Sequence, residues 1–67
     1  MKPEITLIIT NWNGSKLLRE CLPTVLEAVR FDHHHFYEVM VIDDCSTDNS
    51  LEILAKEFPE VRVEKTP

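Results

Sequence analysis

The chain has 67 residues, of which 43% are hydrophobic and 28% are charged. This length allows one small domain, or a piece of a larger one, and excludes a multi-domain protein. Seven Lys and Arg residues against twelve Asp and Glu residues give a formal net charge of −5, which disfavours binding to the phosphates of DNA or RNA. Because so short a chain buries only about 60% of its unfolded surface, we expect a marginal hydrophobic core.

The first residues lead directly into a short apolar stretch, without a signal-peptide pattern or a membrane-spanning segment. We therefore expect a protein of the cytoplasm or of the cytoplasmic face of a membrane. Cys21 and Cys45 have no Cys-x-x-Cys spacing, and this pattern favours free thiols over a zinc site or a disulfide.

The first predicted strand covers residues 5–10, which are β-branched and almost continuously apolar. Such a strand is typical of a parallel sheet that is covered by helices on both faces. Residues 11–15 have the composition of a turn and are followed by a sequence of helical periodicity.

The first predicted helix runs from about residue 16 to residue 30, with Ser15 as its cap. Pro23 lies inside this range and should kink the helix or divide it near residues 20–22. The apolar positions recur at spacings of three and four, and they include Cys21 as a core residue. These positions are Leu18, Cys21, Leu22, Val25, Leu26 and Val29.

The second half of the chain is also predicted to contain a strand followed by a helix. Residues 31–37 form a loop with three consecutive histidines, and residues 38–42 form a second buried strand that leads into Asp43 and Asp44. Because three adjacent histidines cannot all face one metal ion without backbone strain, we interpret them as a solvated loop.

Cap-forming residues precede the second helix, which is predicted for about residues 48–57. We expect Ser46, Thr47 and Asp48 to cap this helix. Residues 61–64 alternate between apolar and charged side chains and form the third predicted strand.

The order strand, helix, strand, helix, strand predicts an α/β fold, with three parallel strands in the spatial order 3-2-1. This arrangement is half of a Rossmann-like, doubly wound sheet, and such sheets bind ligands at the carboxyl ends of their strands. The polar residues at those ends are the candidate nucleotide-binding residues: Thr10, Asn11, Trp12, Asn13, Asp43 and Asp44.

In this strand order the first strand has a neighbour on one side only. Residues 7–9 are apolar and carry none of the charges or prolines that usually protect an edge strand. We therefore expect this edge to be covered either by further sequence of a larger domain, which we favour, or by self-association.

The chemistry at the strand ends suits a nucleotide better than a dinucleotide. Gly14 is the only glycine in the chain, which excludes the glycine-rich dinucleotide motif and the P-loop. The Trp12 indole can cover a nucleobase, and an Asp carboxylate can accept a hydrogen bond from a base imino N–H, as in uracil.

Less specific interpretations exist for the same residues. Trp12 could equally be an ordinary packing aromatic, and the Asp pair could cap a helix, hold a divalent ion or accept a phosphoryl group. Lys16 and Arg19 could approach a phosphate at the positive end of the first helix, although exposed surface charge is the default interpretation.

Two sequence motifs in the chain resemble those of the family 2 glycosyltransferases, which are inverting GT-A enzymes with nucleotide-sugar donors. Residues 5–14 are similar to the opening strand of the family and its N-[WY]-N-[GE] turn, and residues 18–23 resemble its first helix, including the proline. Residues 41–50 resemble the V-[VI]-D-[DN]-x-S-x-D-x-[ST] signature. Together the two motifs identify the chain as the front part, residues 1–67, of such a domain.

The resemblance implies that Thr10 and Trp12 line the base pocket, that Asp44 hydrogen-bonds the base, and that Asp43 shapes the loop and the ribose side. It also implies a divalent cation, Mg or Mn, and a catalytic base that acts in direct displacement at the anomeric carbon. In the family those groups come from later sequence, so we expect no catalytic residue in this chain and no sugar transfer by it alone.

Two other functions compete with this prediction. The first alternative is a non-catalytic remnant, or an interaction module that pairs through its open sheet edge. The second is a receiver-like phosphoacceptor domain, which the paired aspartates suggest but which would need a third carboxylate and a lysine on strand ends.

Overall fold

The computed structural model describes residues 3–66 and contains the five predicted elements in the predicted order. They are β1 (Ile5–Asn11), α1 (Ser15–Phe31), β2 (Tyr37–Asp43), α2 (Ser50–Glu57) and β3 (Arg62–Lys65). The α/β class is therefore confirmed, and each predicted boundary lies within about two residues of the observed one.

The three strands form one parallel sheet in the order β1-β2-β3, which confirms the predicted topology. Asn11 lies opposite Asp43 at the carboxyl ends of β1 and β2, and Val63 of β3 lies opposite Val41. Because β1 and β2 end at the same level, the loops that follow them start side by side.

Both helices cover the same face of the sheet. The two crossovers step across the sheet in the same direction, and right-handed connections then place both helices on one side. The core lies between this face and the helices. Its buried residues are Leu18, Leu22, Leu26, Val39, Val41, Ile53, Leu54, Phe58 and Val61.

The other face of the sheet is open within residues 3–66. Along β1, Thr6, Ile8 and Thr10 are exposed, and Ile8 keeps 56% of its surface in contact with solvent. The prediction that this strand is covered on both faces is therefore wrong for the described chain. The apolar run correctly indicated a strand, but a helix on the second face requires a crossover in the opposite direction.

The first helix differs from the prediction in three details. Gly14, and not Ser15, occupies the N-cap position, and it has no side chain to form a cap hydrogen bond. Pro23 lies within one continuous helix, so the helix is not divided. Cys21 is exposed and not part of the core, because the buried positions Leu18, Leu22 and Leu26 recur every four residues and leave Cys21 beside this stripe.

The second helix is capped differently from the prediction. Asn49 is the N-cap residue, and of the three predicted caps only Asp48 contacts the first turn, where its Oδ1 accepts the Ser50 N–H at 2.9 Å. Ser46 and Thr47 form hydrogen bonds with the other loop, as described below.

The histidine loop lies at the opposite end of the sheet from these caps. His33, His34 and His35 are exposed, as expected for a solvated loop. Asp32 organises this loop, because its carboxylate accepts hydrogen bonds from the Tyr37 hydroxyl and the His34 N–H.

Candidate functional site

The candidate site is built where β1 and β2 end. The Asp44 N–H donates to the Asn11 carbonyl at 2.8 Å and so extends the ladder one step past β2. On the other side, the Thr66 N–H donates to the Asp43 carbonyl at 2.9 Å. The main chain at Asp43 and Asp44 is therefore fixed from both neighbouring strands.

The Asp43 carboxylate is the centre of a buried hydrogen-bond network. Its side chain is 1% exposed and accepts hydrogen bonds from Asn11 Nδ2 at 2.8 Å, from Ser46 Oγ at 2.6 Å and from Ser46 N at 3.0 Å. Burial raises the pKa of Asp43, but the hydrogen bonds from Ser46 and then Asn11 outweigh it and leave the pKa below its usual value. Asp43 is therefore a buried carboxylate that stays ionised.

Asn13 joins the β1–α1 turn to the β2–α2 loop. Its Oδ1 accepts the N–H groups of Thr47 at 2.7 Å and Asp48 at 3.2 Å, and its own N–H donates to Ser46 Oγ at 2.9 Å. The backbone of Asn13 has a φ of 49°, a left-handed conformation that asparagine tolerates better than most residues. The residue thus supplies both the turn and the acceptor.

Asp48 connects the first turns of the two helices. Its Oδ2 accepts the N–H of Ser15, the first residue of α1, at 3.2 Å, while Oδ1 bonds the N–H and hydroxyl of Ser50. The hydrogen bond from the Ser50 hydroxyl is the main reason that the pKa of Asp48 is lowered. A negative charge at two helix N-termini is also favoured by their dipoles.

Gly14 is required here because of space. A Cβ atom at this position would lie 2.6 Å from Asn11 Oδ1, which is closer than such atoms approach without a shift of the amide. Since Asn11 donates to both Asp43 and Ser46, any larger residue at position 14 would displace the network.

Four of the sequence-predicted site residues are exposed at this edge, and three of them do not join the two loops as Asn13 does. Trp12 is 67% exposed, and Thr10 and Asp44 are also exposed. Asp44 Oδ1 accepts the Thr66 hydroxyl at 2.9 Å, and the next residue, Cys45, has a φ of 53° that turns the chain back. These side chains are available to a ligand without breaking the buried network.

A shallow groove of about 300 Å³ runs beside the end of β1. Its wall includes Thr10 and Trp12 from the strand side and Leu17 and Cys21 from α1. A larger depression of about 440 Å³ lies at the amino end of β2 between Leu26 and Phe36, away from the polar network.

The six predicted site residues therefore divide into two groups. Asn11 and Asp43 are buried and bonded to each other, and Asn13 fastens the loops. Thr10, Trp12 and Asp44 surround these residues on the outside. The sequence analysis assigned Ser46 and Thr47 to helix caps and did not identify their contacts with Asn11 and Asn13, because those contacts join residues more than 30 positions apart.

Within the part of the chain that the structure describes, the charged residues near this edge form no metal centre. Among residues 3–66, no three His, Cys, Asp or Glu side chains come together as potential metal ligands. Arg19 pairs with Glu57 of α2 at 2.6 Å, so its charge is already matched, and Lys16 is exposed. The hydrogen-bond network around Asp43 can hold the two loops in place, and these loops present the Asp44 carboxylate and the Trp12 indole.

Within the described part of the chain, no helix combines the length and the apolar character that crossing a bilayer requires.

Known proteins resemble this chain over nearly its whole length. It is 34% identical over 61 residues to the SPbeta prophage-derived glycosyltransferase SunS of Bacillus subtilis (strain 168) and to glycosyltransferase SunS of Bacillus phage SPbeta. In both cases the match covers 91% of this chain and 13% of the relative.

A solved structure shows the same fold. The mannosyltransferase PcManGT from Pyrobaculum calidifontis, in complex with GDP-Man and Mn²⁺, matches with a TM-score of 0.66 and 25% identity, over 98% of this chain and 19% of that chain. The sequence pattern of the family described as "Glycosyl transferase family 2" matches residues 6–67. The chain thus spans a small part of the length of its relatives, and it belongs to glycosyl transferase family 2.

Proposed function

We propose that this chain is the donor-nucleotide-binding segment of a glycosyltransferase that transfers sugar from a nucleotide-diphospho-sugar to an acceptor hydroxyl. One observation carries the proposal: the loops that follow β1 and β2 present an exposed indole, Trp12, and an exposed carboxylate, Asp44. The buried hydrogen bond between Asn11 and Asp43 holds these loops side by side. Carboxyl ends of parallel strands are the usual ligand position in such sheets.

In the proposed site, Thr10 and Trp12 line the base pocket and Asp44 accepts the imino N–H of the base. Uracil and guanine both present such a group, so the carboxylate alone does not choose between them. Asn11, Asn13 and Asp43 set the shape of the loops, and through them the buried Asp43 shapes the ribose side.

The complete enzyme is proposed to use a divalent cation, Mg or Mn, whose ligands lie outside this chain. Residues 3–66 do not fit that role, because they form no cluster of three potential metal ligands. The catalytic base is likewise assigned to other sequence, so we expect the 67-residue chain alone to bind nucleotide without transferring sugar. Transfer by the purified chain to an acceptor would contradict this part of the proposal.

The direct test is a titration of the isotope-labelled chain with UDP, followed by NMR and repeated with GDP and with uridine. We expect chemical-shift changes at Thr10, Trp12 and Asp44. Loss of a stacked indole or of a charged hydrogen bond should weaken binding about tenfold, so Trp12→Ala and Asp44→Ala are the test variants.

Phe31→Ala is the matched control, because Phe31 is an aromatic residue that is 84% exposed on the last turn of α1. It should leave the affinity for UDP unchanged. Equal binding by wild type, Trp12→Ala and Asp44→Ala would refute the site, and a stronger response to GDP than to UDP would assign the base as guanine.

The competing function is that of a non-catalytic interaction module. It is favoured by the open edge of β1, where the strand is uncharged and Ile8 is exposed. Nucleotide binding that depends on Trp12 and Asp44 would argue against a purely structural role for these loops.

A further inference from the structure

The Thr66 side chain contacts the carboxylate that the proposed function assigns to the base. Its hydroxyl donates to Asp44 Oδ1 at 2.9 Å, while the Asp43 carbonyl, at 3.4 Å, is a more distant acceptor for the same proton. A hydrogen bond to an ionised acceptor is also stronger than one to a neutral carbonyl. Asp44 Oδ1 therefore holds a hydroxyl proton before any ligand binds.

The main chain fixes both partners of this hydrogen bond. The Thr66 N–H donates to the Asp43 carbonyl at 2.9 Å, one residue past the end of β3, and the Asp44 N–H donates to the Asn11 carbonyl at 2.8 Å. Thr66 is half-buried, whereas Asp44 is exposed. Because an exposed carboxylate without a fixed partner samples several rotamers, Thr66 limits the orientation of Asp44. The bond engages Oδ1 and not Oδ2.

Uracil and guanine differ in the groups that lie beside their imino N–H. In uracil this group is flanked by two carbonyl oxygens, which are acceptors, whereas in guanine it is flanked by one carbonyl oxygen and by an amino group, which is a donor. A carboxylate with two open oxygens suits guanine, because it accepts the imino and amino groups side by side. A carboxylate with one open oxygen suits uracil, because the second oxygen faces a carbonyl oxygen of the base.

We propose that Thr66 determines the base specificity of the site and selects a uracil nucleotide over a guanine nucleotide. By donating to Asp44 Oδ1, the hydroxyl makes this oxygen a weaker acceptor for the guanine amino group and reduces its repulsion with a uracil carbonyl. Thr66 acts through Asp44 and is therefore a positioning residue. The inference rests on the proposed function, since it concerns the base that Asp44 accepts.

The test is a set of NMR titrations of the chain that measure the dissociation constants of UDP, GDP and inosine diphosphate (IDP). The base of IDP is guanine without its amino group, so the comparison of GDP with IDP isolates the contribution of that group. We expect the wild type to bind UDP about tenfold more tightly than GDP, the effect of one hydrogen bond to a charged group. It should bind GDP and IDP equally.

Thr66→Val removes the hydroxyl and keeps the shape of the side chain. Because Asp44 Oδ1 is then open to the amino group, the variant should bind GDP about tenfold more tightly than IDP, and its preference for UDP over GDP should fall about tenfold. Thr66→Ser keeps the hydroxyl and should restore both ratios. A merely structural role of Thr66 would change the affinities for all three nucleotides by the same factor.

Thr24→Val is the matched control, because it makes the same chemical change at an exposed position on α1. It should leave all three dissociation constants unchanged.

The titrations separate failure of this inference from failure of the proposed function. The inference is wrong if the wild type binds GDP at least as tightly as UDP, or if Thr66→Val leaves the ratio of GDP to IDP affinity unchanged. In either case, binding that Asp44→Ala weakens would still support the proposed function. Binding of none of the three nucleotides would refute the proposed function and this inference with it.

Discussion

The two ends of the sheet each hold a carboxylate that collects hydrogen bonds, but they connect the chain over very different distances. At the amino end of β2, Asp32 accepts from the Tyr37 hydroxyl at 2.5 Å and from the His34 N–H at 2.8 Å, so all partners lie within five residues of it. At the carboxyl end, Asp43 bonds Asn11, which is 32 positions away.

The Asp43 and Asp32 carboxylates also differ in how deeply they are buried. Asp43 is 1% exposed, whereas 28% of the Asp32 side chain is exposed. A local, exposed network closes one loop and has little effect on the remainder of the chain. A long-range, buried network holds two loops in one arrangement, and the candidate site depends on that arrangement.

The largest expected effect comes from Asp43→Asn. Asparagine has one acceptor oxygen where aspartate has two, so its NH2 group would face either the Ser46 N–H or the Asn11 amide and leave a buried donor unpaired. We expect a loss of about 3 kcal/mol of unfolding free energy. Urea unfolding followed by circular dichroism measures the change. Asp44→Asn is the control, because its exposed carboxylate has water as an alternative partner; equal losses in both variants would contradict the role of burial.

The second test removes the hydrogen bonds by which Asn13 joins the two loops. Asn13→Ala removes the acceptor of the Thr47 and Asp48 N–H groups and places alanine at a φ of 49°, so we expect a loss of about 2 kcal/mol. Asn13→Gly removes the same acceptor without the backbone strain and should cost only about half as much. Similar losses in both variants would show that strain plays no part.

A smaller effect, present at neutral pH and lost in acid, is expected from the Asp32 network. The hydrogen bond from Tyr37 is the main cause that lowers the pKa of Asp32 to about 2, followed by those from His34 and His35. Because the folded pKa is depressed, this carboxylate stabilises the fold above its unfolded pKa of about 4, and the contribution is lost as the pH falls towards about 2.

Tyr37→Phe should therefore lower stability at pH 7 and flatten the dependence of stability on pH between about 4 and about 2, so that the variant and the wild type converge in acid. Unfolding midpoints measured in this range check the prediction. A larger loss for Tyr37→Phe than for Asp43→Asn at neutral pH would reverse the comparison between the two ends.

The smallest effect should come from the Arg19–Glu57 pair. It joins residues 38 positions apart, a separation similar to the 32 positions between Asn11 and Asp43, but both side chains are about half exposed. Arg19→Gln should change stability little, and less at high salt, because solvent screens exposed ion pairs. A loss as large as that of Asp43→Asn would mean that sequence separation, and not burial, determines the effect.

The elements of this fold follow from local sequence, and the contacts between its loops do not. Residues 5–10 and 38–42 are apolar and β-branched, and the parallel order could be derived from the short connections. The partners of Ser46 and Thr47 could not, because cap-forming side chains bond whichever N–H group the tertiary fold brings near. The sequence showed the right residue types and assigned them to the wrong acceptors and donors.

The open face of β1 illustrates the same limit. An apolar strand indicates that burial is favourable on both sides, but it does not say which chain provides the cover. Thr6, Ile8 and Thr10 are exposed in the described residues, although the strand has the composition of a central one.

The position of Trp12 gives the protein a built-in optical probe. It is the only tryptophan in the chain and is 67% exposed, so its emission should resemble that of an indole in water. A nucleobase stacked on the ring would quench this emission, whereas unfolding would alter it little because the ring is already hydrated. Occupancy of the loops at the end of β1 can therefore be followed in unlabelled protein at low concentration, separately from the folding of the core.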